Sequence, residues 1–229
     1  MKKKEPPFPA ITQPGQTLAA HLEHTLLQAD ARAAQIEQLC REACHYGFAG
    51  VCVLPMRLAL ASAALAGTSV KAITVICFPL GASTTSAKAW EAAQAIRLGA
   101  EELDMVMAIG ALKERDLAYV EKDIRAVVRA AQGRPVKVII ETGLLTNSEK
   151  VTACQLLQAA GARFAKTSTG FKGGARLADI RLMRRTLASR MGLKASGGIR
   201  SAAQALAFIR AGATRIGTSA AVSIVTTGP

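Results

Sequence analysis

Leu98-Gly99-Ala100-Glu101-Glu102-Leu103-Asp104-Met105-Val106-Met107-Ala108 closes one helical stretch and opens one strand within eleven residues. Glycine just past a helical run suits the left-handed conformation in which helices end, and the alternation after it suits a strand. The same joint recurs at Ala160-Gly161-Ala162-Arg163 and at Ala211-Gly212-Ala213-Thr214. Outward from these joints, short apolar runs at 21–27, 50–54, 72–78, 102–109, 136–141, 163–168, 193–196 and 215–218 predict eight strands. Stretches at 31–45, 88–98, 117–131, 148–160, 177–190 and 201–210 predict helices between them. Eight βα units in 229 residues are what a single closed (β/α)8 TIM barrel of the α/β class needs. An open doubly wound sheet usually has fewer strands and a G-x-G-x-x-G turn after the first, and no such turn is present.

Composition narrows the class further. A chain with 50% hydrophobic residues is not disordered. Cys40, Cys44, Cys52, Cys77 and Cys154 are odd in number and contain no Cys-x-x-Cys pair, which argues against disulfides and thiolate zinc and for a reducing, cytoplasmic setting. Lys2, Lys3 and Lys4 are followed by prolines rather than an apolar stretch, so residues 1–17 read as a loose tail ahead of a barrel domain at 18–229. No apolar run approaches the roughly 18 residues of a membrane helix; the run at 58–67 is short and contains Ser62. The formal net charge of +13 could draw nucleic acid, an anionic membrane or anionic small molecules. No nucleic-acid motif accompanies the basic residues, exemplified by Arg181, Arg184, Arg185 and Arg190, so a solvated basic surface is the simpler reading.

Chemistry is suggested where ionisable residues interrupt apolar strands, since barrel strands bury both faces. Alternation sets Asp104, Val106 and Ala108 on one face and the bulkier Leu103, Met105 and Met107 on the other, which predicts Asp104 inside the barrel. Lys166 and Lys194 stand near the ends of neighbouring strands, and Lys137, Ile139 and Glu141 share a face that offers a further ion pair. These groups read either as a structural network of buried ion pairs or as a reaction centre. In the second reading, burial and a neighbouring ammonium keep one lysine neutral and nucleophilic, able to form a Schiff base while a carboxylate relays protons. Gly197-Gly198 before a helix and Gly217-Thr218-Ser219 after the last strand stand where barrels commonly bind phosphate; without that match of position, a tight turn capped by Ser201 is the favoured explanation of the glycines.

The combination of Leu22-Glu23-His24-Thr25-Leu26-Leu27, 50–53, 78–82, 102–110, 137–143, Lys166-Thr167-Ser168-Thr169-Gly170-Phe171, Lys194-Ala195-Ser196-Gly197-Gly198-Ile199-Arg200 and 215–219 resembles the 2-deoxyribose-5-phosphate aldolases, class I Schiff-base enzymes with a TIM barrel fold. The resemblance covers nearly the whole chain. It implies that Lys166 forms the Schiff base, that Lys194 depresses its pKa and that Asp104 relays protons. It implies reversible cleavage of 2-deoxy-D-ribose 5-phosphate to D-glyceraldehyde 3-phosphate and acetaldehyde, in deoxynucleotide breakdown, with no metal or other cofactor because the iminium is the electron sink. Expected substrate contacts are Thr25, Cys52, Lys137, Thr169, Gly173, Gly174, Gly197, Gly198 and Ser219, although for Cys52 a buried apolar role is the favoured reading. A homo-oligomer, most often a dimer, is implied, with no membrane partner.

The chain departs from the family in several places. Glu23 stands where Asp is usual, so a substrate-hydroxyl contact there is expected to move. The loop 170–176 is one residue shorter than usual, and Arg176 replaces a small hydroxyl residue, which offers Lys172 or Arg176 as an added phosphate cation. Ala220 and Ala221 replace a more usual Ser or Ala followed by Gly, and no C-terminal tyrosine is present. His21 and His24 have odd separation on one strand and face opposite ways, so no histidine metal site is expected. Cys40 and Cys44 are expected to pack in the core, and Trp90 to pack a helix on the barrel. The rival readings are a Schiff-base aldolase for another phosphorylated sugar and a non-catalytic basic barrel that binds nucleic acid.

Overall fold

A computed structural model describes residues 16–227. Eight parallel strands close a barrel in chain order: β1 Leu22–Leu26, β2 Gly50–Val53, β3 Lys71–Ile76, β4 Glu102–Val106, β5 Val136–Ile139, β6 Phe164–Lys166, β7 Gly192–Ser196 and β8 Arg215–Thr218. Around it stand α1 Gln16–Ala19, α2 Ala33–Tyr46, α3 Leu58–Ala64, α4 Thr85–Arg97, α5 Ile109–Lys113, α6 Leu117–Ala130, α7 Asn147–Ala159, α8 Leu177–Thr186, α9 Ala202–Arg210 and α10 Ala221–Thr226. Of the expected tail 1–17, residues 1–15 lie outside the described residues, while Gln16 and Thr17 open α1. No helix among the described residues is long and apolar enough to cross a membrane.

The three glycine joints behave alike. Gly99, Gly161 and Gly212 have φ of 94°, 88° and 115°, and the alanine after each donates its N–H to a carbonyl five residues back, at 2.9, 3.0 and 3.0 Å. That bond satisfies a carbonyl at the helix end and aims the chain into the next strand. Helix starts are set by side-chain oxygens: Thr84, Asp116, Thr146 and Ser201 each accept the N–H three residues on, and Glu149 returns the bond to Thr146.

Alternation divides the strands as expected. Leu103, Met105 and Met107 join the large apolar core between barrel and helices, while Asp104 points inward. Inside the barrel Cys52, Ile73 and Val75 form a small apolar plug on β2 and β3, and the opposite half of the interior is ionic. Trp90 does not pack on the barrel and is 64% exposed. The inner face of α4 is Lys88, Ala92 and Ala95 at helical spacing, and Trp90 lies two residues, about 200°, from Lys88 on the outer side.

Candidate active site

The register explains how one centre draws on strands far apart in sequence. Asp104 pairs with Lys137 across β4 and β5, and Lys166 with Lys194 across β6 and β7. Barrel closure then sets Glu23 of β1 opposite Gly217 of β8. Gly217 is small for a reason: a Cβ there would stand 2.8 Å from Lys194 Cε.

Asp104 is the hub. Its Oδ1 accepts from Lys137 Nζ at 2.9 Å, and its Oδ2 accepts from both Lys166 Nζ at 2.7 Å and Lys194 Nζ at 2.6 Å. Lys137 also meets Glu102 at 2.6 Å and Glu23 at 3.5 Å. Lys194 donates to Glu23 as well, and Arg215 reaches Glu23 at 3.3 Å and Glu102 at 3.5 Å. Four cationic side chains thus face three carboxylates. If Lys166 is the neutral one, the interior holds three charges of each sign.

The environments of the two lysines differ in that direction. Burial pushes the Lys166 ammonium below its ordinary pKa; the Asp104 carboxylate opposes this and the Lys194 ammonium reinforces it. Burial acts on Lys194 too, but Asp104 and Glu23 together outweigh it and hold it up to about 12. Lys137 is likewise raised by Asp104, Glu23 and Glu102 against the cost of burial. Burial would raise the Asp104 carboxyl, yet Lys137, Lys166 and Lys194 hold it well below the usual range, and Lys137 and Lys194 lower Glu23 in the same way.

Above this network opens a cavity of about 350 Å³ at the C-terminal ends of the strands. Its floor is Lys166 and Lys194, and its walls come from 25–28 at the end of β1, 169–171 after β6, 196–200 at the end of β7 and 217–219 at β8. A buried ionic cluster with one lysine depressed and open to a cavity is an arrangement suited to covalent capture of a carbonyl.

Residues 18–223 match the family described as DeoC/LacD family aldolase. The chain belongs to that family. The chain is 58% identical over 209 residues, 91% of its length and 95% of the relative's, to the deoxyribose-phosphate aldolase of Streptococcus pneumoniae serotype 19F. Its fold superposes on the crystal structure of a Coccidioides immitis protein with TM-score 0.90 and 42% identity, covering 96% of this chain and 90% of that one. It superposes on the tetrameric deoxyribose phosphate aldolase of Aeropyrum pernix with TM-score 0.86 and 33% identity, covering 93% and 91%.

In this DeoC/LacD aldolase, Thr25, Thr169, Gly197, Gly198 and Ser219 stand on the cavity wall. Four other expected contacts stand off it. Cys52 is fully buried in the plug beneath, its thiol pushed up to about 11 by burial first and by Asp104 second. Lys137 is fully buried in the ion network on the far side of Asp104. Gly174 is packed behind the wall, where a Cβ would stand 2.4 Å from the Gly197 carbonyl, and Gly173 is an exposed turn beside it.

Two strand-end residues also differ from expectation. Glu23, expected near a substrate hydroxyl, is fully buried and spends both oxygens on Lys137, Lys194 and Arg215. Glu141 does not pair with Lys137: strand β5 ends at Ile139, Glu141 turns into left-handed backbone at φ 54°, and its carboxylate accepts the N–H and hydroxyl of Thr169. The Thr169 hydroxyl accepts in turn from Phe171 N at 3.1 Å, fixing the start of the loop 170–176. Glu102 and Arg215 were not singled out from the sequence. Glu102 shares Asp104's face by simple alternation, and Arg215 opens a strand, so both were within reach of the same reasoning.

Proposed function

We propose that this aldolase cleaves 2-deoxy-D-ribose 5-phosphate reversibly to D-glyceraldehyde 3-phosphate and acetaldehyde through a Schiff base on Lys166. The observation that carries this reading is Lys166 itself: a buried amine with lowered proton affinity, 2.7 Å from Asp104 and open to the cavity. The neutral amine adds to the C1 aldehyde of the open-chain sugar, and loss of water gives the protonated imine. The C3 hydroxyl proton leaves to a base while the C2–C3 electron pair moves into the iminium, releasing glyceraldehyde 3-phosphate. The enamine that remains is protonated at C2, and water then frees acetaldehyde and Lys166. Lys194 and Asp104 relay these protons, and the hydrogen bonds from Lys194 and Lys166 to one Asp104 oxygen support that role.

The Gly197-Gly198 turn and Ser219 at the mouth take the phosphate through backbone N–H groups, with Thr25 and Thr169 on the sugar. Five free cysteines fit a cytoplasmic enzyme. Association with further copies, as a dimer, is supported by the oligomeric state of the Aeropyrum pernix relative, a tetramer.

The test is borohydride trapping with acetaldehyde, followed by peptide mass mapping, beside a turnover assay on 2-deoxyribose 5-phosphate. A reduced two-carbon adduct on Lys166, absent from folded Lys166→Leu, is the expected result. Absence of any adduct in the folded wild type overturns the mechanism. An adduct without turnover of this sugar keeps the chemistry and overturns the substrate.

A further inference from the structure

The net charge of this chain is not spread along it. Residues 150–229 hold thirteen of the 29 Lys and Arg residues but one of the 16 Asp and Glu residues, a net of +12, against +1 for residues 1–149. In a barrel closed in chain order, this last third is one contiguous side, from α7 through β6, α8, β7, α9, β8 and α10. Its one acidic side chain, Asp179, is buried and paired with Lys150 at 2.7 Å. The described residues from 150 onward therefore expose no carboxylate side chain.

The cations on this side lead to the cavity. Arg200 lines its mouth, and Lys172 and Arg176 stand exposed on the loop that packs against Gly197 through Ala175, whose N–H donates to the Gly197 carbonyl at 3.1 Å. From Arg176, the residue before α8, exposed Arg181 and Arg185 continue along the helix, five and nine residues on, and exposed Arg190 follows beyond its end. At about 1.5 Å per residue, Arg181 and Arg185 lie roughly 8 and 14 Å along the axis from Arg176. Those distances fall within the Debye length of about 30 Å at 0.01 M salt and become screened as it shrinks to about 3 Å at 1 M. The opposite side of the mouth carries exposed Asp30, two residues past Gln28, and exposed Arg32 beyond it, which offset one another, so the unbalanced positive charge lies on the α8 side.

We propose that the outer surface of α8, with Arg200 at the mouth, is an anion-collecting face that draws the phosphate dianion of the substrate to the cavity and raises its capture rather than the rate of bond cleavage. This rests on the phosphorylated-sugar reading above. A sugar phosphate carries about −1.5 to −2 charges at neutral pH, and clefts bordered by one sign of charge raise local substrate concentration and on-rate. Arg181 and Arg185 do not line the cavity, so their contribution reaches the substrate through the field alone.

The experiment measures kcat and KM of wild type, Arg181→Glu/Arg185→Glu and Arg181→Gln/Arg185→Gln from low to high salt, on 2-deoxyribose 5-phosphate and on neutral 2-deoxyribose. At low salt the double Glu variant is expected to lose about 5-fold in kcat/KM for the phosphorylated sugar with kcat unchanged, the Gln variant less, and all three proteins to converge at high salt. Neutral 2-deoxyribose should show no such loss. A wild-type kcat/KM that does not fall with salt overturns the proposal. So does a variant whose loss persists at high salt or is equal on the neutral sugar. Wild type that turns over neither sugar would instead overturn the functional reading beneath it.

Discussion

Lys166 and Lys194 are the same residue type, adjacent in register, buried to the same degree and bonded to the same carboxylate oxygen; what separates them is Glu23. The second carboxylate keeps Lys194 charged, and that charge helps keep Lys166 neutral. Lys194→Met should therefore lower kcat/KM on the order of 10²- to 10⁴-fold, as loss of a proton-relay group does. It should also move the acid limb of the pH profile upward, because Lys166, left facing Asp104 without an opposing ammonium, holds its proton to higher pH. A purely structural Lys194 would lower the plateau without moving the limb, so the kcat/KM profile against pH decides. Glu23→Gln leaves Lys194, Lys137 and Arg215 short of one buried counter-charge. Breaking a buried pair in this way costs about 3 to 5 kcal/mol, to be read from urea unfolding at neutral pH.

At the scale of elements, period-two alternation was enough to place Asp104 inside the barrel, and the eight apolar runs were enough to count the units. The strand ends were less legible. Whether a chain leaves the sheet depends on single backbone turns such as Glu141, whose left-handed conformation is held by Thr169 from the loop after β6, a contact that no local pattern encodes. The ion partners of Glu23 were out of reach for the same reason, since they sit on β5, β7 and β8 and meet only when the barrel closes. Helix faces were legible where apolar, but Cys44 of α2 is exposed where core packing was expected, and α4 buries a lysine and exposes a tryptophan. Lys88 Nζ reaches Asp123 of α6 at 2.6 Å and the Val106 carbonyl at the end of β4 at 3.3 Å, all fully buried. Lys88→Met alone leaves Asp123 uncompensated and should cost about 3 to 5 kcal/mol, whereas Lys88→Met/Asp123→Leu should recover most of that loss. Equal destabilisation of the single and double variants in denaturant titrations would show that the lysine stem's packing, not the ion pair, joins α4 to α6.

Over the whole molecule, the apolar shell between strands and helices supplies the stability and the ionic half of the interior draws on it, with Lys166 the group that burial serves least. A lysine whose folded pKa lies below its unfolded value binds fewer protons folded than unfolded between those two values. Stability contributed by that site therefore rises with pH across the window and reaches its full value only above the unfolded pKa of about 10.4. At neutral pH the site opposes folding. Lys166→Met keeps the shape, removes the ionisable amine, and leaves Asp104 still bonded to Lys137 and Lys194. The inactive variant should be more stable than wild type at pH 7, by about 1 to 2 kcal/mol, the size that single stabilising substitutions commonly give. Lys194 and Lys137, both raised, keep their protons across this window, so the difference isolates Lys166. Unfolding of both proteins followed by urea from pH 7 to 10 should show the gap narrowing as wild type gains. A gap that stays flat, or a variant less stable than wild type at pH 7, would mean that Lys166 is held protonated in the folded enzyme and that its nucleophilic form arises only when substrate displaces it from Asp104.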